Sequence, residues 1–156
     1  MLEGNCANWE SFGRAGEFNH AWTAYPGYLC QKYFSGLQPT GGGFSTFDVR
    51  PELGGLSFAE SSVPTVKGLI TTRWDKLGSG QLALSLTVPP GSRATLYLPV
   101  VSARSAAVEE SGRRLWPSPP HKRVPGVIAV ESEDAFIKCL LGAGAYRFKI
   151  TGSGNG

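Results

Sequence analysis

The sequence changes its hydrophobic period once, near Gly41-Gly42-Gly43, and the two sides predict different structures. Before that point, Leu29, Cys30, Tyr33, Phe34 and Leu37 fall at i, i+1, i+4, i+5 and i+8, one apolar face of a short helix. Pro26 fits the first turn of that helix, where its missing N–H costs nothing, and Gly36 is placed to end it. Gln38-Pro39-Thr40-Gly41-Gly42-Gly43 reads as a linker. Beyond it the period is two. Leu82, Leu84, Leu86 and Val88 alternate with Ala83, Ser85 and Thr87. Pro89-Pro90-Gly91-Ser92 turns the chain, and Ala94, Leu96, Leu98 and Val100 alternate back, which predicts a hairpin.

Further strands are predicted over 44–50, 56–61, 68–74, 107–110, 113–116, 127–131, 135–140 and 145–150, with a tight turn at Ser111-Gly112. Short strands at about ten-residue spacing, with no helices between them, predict a mainly β chain. The expected architecture is a two-layer antiparallel β-sandwich, jelly-roll-like, preceded by a short N-terminal helical segment. Residues 1–37 form the first unit and 38–156 the sandwich domain.

Composition narrows the function classes. At 156 residues the chain can bury one good core. Its 21 glycines and 11 prolines suit many turns and few long helices. A formal charge of +3 leaves no electrostatic footprint for nucleic acid, and no nucleic-acid partner is expected. No apolar run reaches the roughly 20 residues that span a bilayer, so no membrane partner is expected either. Residues 1–5 carry neither the basic nor the apolar region of a signal peptide, and the compartment is left open. Cys6, Cys30 and Cys139 form no CxxC pair, and His20 and His121 are the only histidines. Neither a metal site nor a cofactor is expected.

The candidate chemistry lies near the start. Glu10 beside Trp9 would be partly desolvated, and a carboxyl against an aromatic wall can act as general acid or base. His20 and Trp22, in the loop before the helix, offer a hydrogen bond and a stacking face for a sugar ring. An exposed loop carboxylate and a capping histidine explain the same residues. Trp74 at a strand end could be a sugar platform, although a core tryptophan is the preferred reading. The run from Trp116 to Arg123 could be a proline-type ligand or a basic patch, with a stiff surface loop preferred. Glu131-Ser132-Glu133-Asp134 could attract calcium, with a solvated turn preferred.

The order of features resembles the carboxyl-terminal portion of bacterial α-L-rhamnosidases. Trp9-Glu10, then Phe18-Asn19-His20-Ala21-Trp22, then an aromatic helix ending in Gly36-Leu37-Gln38-Pro39, resembles the end of their catalytic domain. Phe47-Asp48-Val49-Arg50-Pro51, the run from Thr65 to Trp74, the run from Val88 to Pro99 and the run from Gly142 to Phe148 resemble successive strands of their last domain. The resemblance implies an (α/α)6 catalytic barrel whose last helix is 26–36, then a β-sandwich.

Enzymes of that family invert: one carboxylic acid protonates the leaving oxygen while a separate carboxylate activates water. The resemblance makes Glu10 the general base and places Trp9, His20 and Trp22 at the rhamnose pocket. The general acid belongs to an earlier part of the barrel. The implied partners are therefore a rhamnosyl glycan and the N-terminal barrel of the same protein, and the 156-residue chain alone should be inactive. The apolar helix face also predicts docking on the sandwich or self-association. A free-standing carbohydrate-binding module using Trp74 or Trp116, and a structural or interaction sandwich with no sugar site, remain the alternatives.

Overall fold

The computed structural model describes residues 25–78, 80–117, 124–133 and 135–152. A helical segment opens it: α1 (Tyr25–Leu29) runs on into a π-helical turn, Cys30–Phe34. Eleven strands follow: β1 (Leu37–Pro39), β2 (Thr46–Val49), β3 (Phe58–Thr65), β4 (Gly68–Gly78), β5 (Gln81–Val88), β6 (Arg93–Pro99), β7 (Ala107–Glu110), β8 (Arg113–Trp116), β9 (Val127–Glu133), β10 (Phe136–Leu141) and β11 (Gly144–Thr151). They form a β-sandwich. One sheet has the order β1-β2-β6-β10-β9, the other β3-β4-β5-β11-β7-β8.

The period-two pattern places the core as expected. Leu82, Leu84, Leu86 and Val88 of β5 face inward, opposite Ala94, Leu96 and Leu98 of β6. Ile137, Cys139 and Leu141 of β10, and Tyr146, Phe148 and Ile150 of β11, complete the two inner faces. Cys139 is a core side chain, and burial pushes its thiol up to about 12. Ser111 and Gly112 have φ of 48° and 78° and form the tight turn between β7 and β8.

Three expectations are corrected. β5 and β6 do not make a hairpin. β5 pairs with β4 and β11, whereas β6 pairs with β2 and β10, so Pro89–Ser92 carries the chain from one sheet to the other. Alternation specifies which face of a strand is buried and not which strand lies beside it. Both strands bury one face on the common core, so an arch between sheets and a hairpin leave the same sequence trace.

Second, the sandwich is not wholly antiparallel: β2 and β6 run parallel, with Asp48 opposite Thr95 and Val49 opposite Leu96. The excursion through β3, β4 and β5 in the other sheet lets β6 return in the same direction as β2. Third, Leu37 is not on the helix face. The backbone turns at Gly36, with φ of 67°, and Leu37 enters β1 at 1% exposure. The predicted linker thus begins as a strand paired with β2.

Replacing Leu84 or Leu96 with Ala, both essentially buried, is expected to cost about 2–5 kcal/mol. Chemical denaturation with an unchanged denaturant slope checks this; a loss below about 0.5 kcal/mol would contradict the packing.

Candidate functional site

Trp9, Glu10, His20 and Trp22 lie outside the described residues, as does His121. What is described is the segment that follows them and how it joins the sandwich. The end of the helical segment is held by backbone groups. The Trp74 indole N–H donates to the Phe34 carbonyl at 2.6 Å. The Glu52 amide donates to the Tyr33 carbonyl at 2.9 Å and the Arg50 amide to the Gly36 carbonyl at 2.8 Å. Gly36 is required twice over: its φ is in the left-handed region, and a Cβ there would collide with the Arg50–Pro51 backbone.

The rest of the segment is less covered. Tyr25, Tyr28, Tyr33 and Phe34 are all exposed, at 57, 50, 38 and 41%. Lys32 Nζ lies 5.1 Å from the Tyr33 ring centroid. An open groove of about 370 Å³ separates the segment from the edge strand β3, lined by residues that include Cys30, Gln31, Phe34, Ser61 and Val63. The helix thus docks by its C-terminal end while its aromatic side remains open.

Neither tryptophan in the sandwich is a free stacking platform. Trp74 is 1% exposed, and its ring packs in the core. Trp116 is half-buried against the core, and its indole N–H donates to the Ala103 carbonyl at 2.6 Å. Glu131 and Glu133 lie within β9 rather than in a turn. Among the described residues no cluster of three His, Cys, Asp or Glu side chains could hold a metal ion. No helix among them is long and apolar enough to cross a membrane.

The outward faces of the two sheets differ. On the six-stranded sheet Arg73 donates to Asp75 through Nε and Nη2 and to Glu60 through Nη1, all at 2.7–2.9 Å. These carboxylates hold its guanidinium charge above the usual arginine range. On the five-stranded sheet Asp48 sits opposite Thr95. Burial pushes its carboxyl above the usual range, opposed by the Thr95 hydrogen bond and by the charges of Lys138 and Arg50. Nearby, the Arg50 guanidinium lies 4.4 Å from the Phe136 ring centroid and 5.5 Å from that of Tyr97. The two rings meet edge to face at 89°.

This second cluster was not anticipated from sequence. Its only trace there is that Asp48, Arg50, Thr95 and Tyr97 occupy the polar half of two alternating runs. That those runs are neighbours follows from the parallel pairing, which the sequence pattern does not show.

Residues 36–113 match the family described as bacterial alpha-L-rhamnosidase C-terminal domain. Among solved structures, the α-L-rhamnosidase of Streptomyces avermitilis complexed with L-rhamnose shares the fold with a TM-score of 0.63 and 23% identity, over 81% of this chain and 11% of that one. The α-L-rhamnosidase of Dictyoglumus thermophilum gives 0.71 and 20% over 92% of this chain and 15% of that one. The native enzyme of Aspergillus terreus gives 0.53 and 21% over 83% and 12%. The chain therefore spans about 11–15% of the length of these enzymes. No curated protein matches the sequence.

Trp74→Phe removes the indole donor to Phe34 and should cost about 1–3 kcal/mol. Amide exchange should accelerate selectively over residues 25–36; uniform acceleration across all strands would contradict an anchoring role. For Asp48, a folded-state pKa above the unfolded value means that ionisation destabilises the fold as pH rises through that interval. Asp48→Asn should therefore match the wild type in thermal stability near pH 3. It should equal or exceed the wild type at pH 7.

Proposed function

The chain belongs to the family of bacterial α-L-rhamnosidase C-terminal domains, and from that membership we propose that it is the trailing part of an inverting α-L-rhamnosidase. In this reading the sandwich is a non-catalytic accessory domain, and the segment before it contributes half of an active site. The family match, joined to a sandwich that the three rhamnosidase structures share, is the observation that carries it.

Within that reading Glu10 is the general base and removes a proton from the attacking water, while Trp9, His20 and Trp22 bind the rhamnosyl ring. The general acid comes from the N-terminal barrel of the same protein. Inversion requires the two carboxyls to stand roughly 6.5–9.5 Å apart, with water between one of them and the anomeric carbon. A chain holding one of the two has no partner to protonate the leaving oxygen, so the isolated 156-residue chain is expected to be inert.

The burial of Trp74 and the bonded indole of Trp116 favour a structural role for those two residues over a binding module built on them. The anchoring of Phe34, Tyr33 and Gly36 supports a joint in which the sandwich fixes the end of the preceding helix. The open aromatic side of that helix then packs on the barrel or, in the isolated chain, on a second copy.

In the full-length enzyme, Glu10→Gln should lower kcat by about 10²–10⁴, the usual worth of general base catalysis. Substrate binding should persist, because the change is nearly isosteric. The isolated chain should release no leaving group from an aryl rhamnoside at any pH. Full activity of the Glu10→Gln enzyme would remove Glu10 from the mechanism. Turnover by the isolated chain, lost on the same substitution, would overturn the division of the site.

A further inference from the structure

On the outer face of the five-stranded sheet, aromatic, cationic and hydroxyl side chains converge where a solvent-facing sheet ordinarily carries scattered polar residues. These positions alternate with the buried residues Phe47, Val49, Ala94, Leu96, Leu98, Ile137 and Cys139. The register sets Tyr97 opposite Lys138 and Lys138 opposite Glu131, while Arg50, the residue after β2, leans over Tyr97. A second row crosses the sheet beside it, with Gln38, Asp48, Thr95 and Leu140 opposite one another in turn. Phe136 closes one end. Asp48, Thr95, Tyr97, Phe136, Lys138 and Leu140 are each only half-exposed although they point away from the core.

We propose that this face, centred on Tyr97 between Arg50 and Lys138, binds a glycan that carries carboxylate groups, a uronic-acid-containing chain.

Charge selects the ligand class. Arg93 and Lys138 on the central strands, and Arg50 just after β2, point outward around one central carboxylate, Asp48, while Glu131 and Glu133 stand opposite Lys138 and Phe136 on the edge strand β9. Lys138 is held only loosely by Glu131, at 3.9 Å. Arg50 has no carboxylate partner among the described residues; its guanidinium lies instead over aromatic rings. A contact of that kind leaves guanidinium N–H groups able to donate to a carboxylate. The backbones of Arg50 and Lys138 flank that of Tyr97, two strand spacings or roughly 10 Å apart, and the Arg50 guanidinium reaches toward Phe136 on the strand of Lys138, so neighbouring acidic groups of one extended chain could meet both.

The Asp48 carboxyl, in the middle of the face, can accept hydrogen bonds from ligand hydroxyls. The same group, with the hydroxyls of Thr95 and Tyr97, suits a ligand rich in hydroxyl donors and acceptors. The opposite face of the sandwich supplies a built-in comparison. It also carries cations, Arg147 and Lys149, but around small residues, Ala83 and Ser85, with Arg73 already paired. Binding at the five-stranded face is independent of chemistry at Glu10, so its loss and a loss of turnover are separately measurable.

The test is titration of the 156-residue chain with a galacturonic acid hexamer, followed by calorimetry and by amide chemical shifts. The control ligand is the same hexamer with its carboxyls methyl-esterified. Saturable binding of the acidic hexamer is expected, with shifts confined to β2, β6 and β10 and weakening as salt rises. Lys138→Gln and Arg50→Gln should each reduce affinity about tenfold or more, the worth of one charge-assisted hydrogen bond. Lys149→Gln should leave it unchanged. Lys138 is partly exposed, so Lys138→Gln should keep the fold and decide the matter if Arg50→Gln does not; melting temperatures verify this. Equal binding of the esterified hexamer, equal weakening by Lys149→Gln, or no saturable binding would each overturn the proposal. In the last case, association that grows with protein concentration in sedimentation would assign the face to a second copy.

Discussion

The two sheets have one core between them, and each strand must present alternate residues to it. That constraint fixes β5 and β6 most tightly, since Leu82, Leu84, Leu86, Ala94, Leu96 and Leu98 are all at 2% exposure or less. It also fixes what may stand outside. A one-residue slip in β2 would bring Asp48 and Arg50 into the core and expel Phe47 and Val49, so the outer cluster is held in register by the inner one. Core packing and surface chemistry on that sheet are two readings of a single alternation.

The same constraint explains what could be read from the chain in advance. Strand positions, the inward residues, the Ser111-Gly112 turn and the stop at Gly36 each depend on local periodicity or local backbone preference, which a sequence displays. The partners of β5 and β6 do not. Their burial would be identical in a hairpin, and only the competition for hydrogen-bonding edges by β4, β11, β2 and β10 separates them. Leu37 was misplaced for a related reason: a hydrophobe one turn beyond Phe34 continues the helical stripe on paper, but the left-handed Gly36 redirects the chain before it. Of the candidate site, Trp9, Glu10, His20 and Trp22 lie outside the described residues, and their reading as a sugar site rests on residue type and on the resemblance, because no period or spacing distinguishes a catalytic loop carboxylate from a solvated one. Trp74 was legible as core from its place on a strand, yet its bond to the Phe34 carbonyl joins residues 40 apart, beyond any local pattern.

At the joint, the bonds that hold the helix end go to main-chain carbonyls of Tyr33, Phe34 and Gly36. A joint of this kind tolerates substitution of the aromatic side chains while fixing the path of the backbone. The side chains of Tyr25, Tyr28, Tyr33 and Phe34 take no part in it and stay exposed. Position is thus set by backbone bonds to the sandwich, independently of the exposed rings.

The strand order of the six-stranded sheet carries a consequence for synthesis. β11, the last of the described strands in chain order, inserts between β5 and β7 rather than adding at an edge. β10 likewise lies between β6 and β9. Until Gly144–Thr151 has left the ribosome, β5 and β7 each keep a bare edge, and the places of Tyr146, Phe148 and Ile150 in the core stay unfilled. Long-range pairings of this sort form slowly, and open edges recruit other chains. A chain in which Gly144–Thr151 is missing or unpaired would therefore have its six-stranded sheet split between β5 and β7 rather than trimmed at an edge.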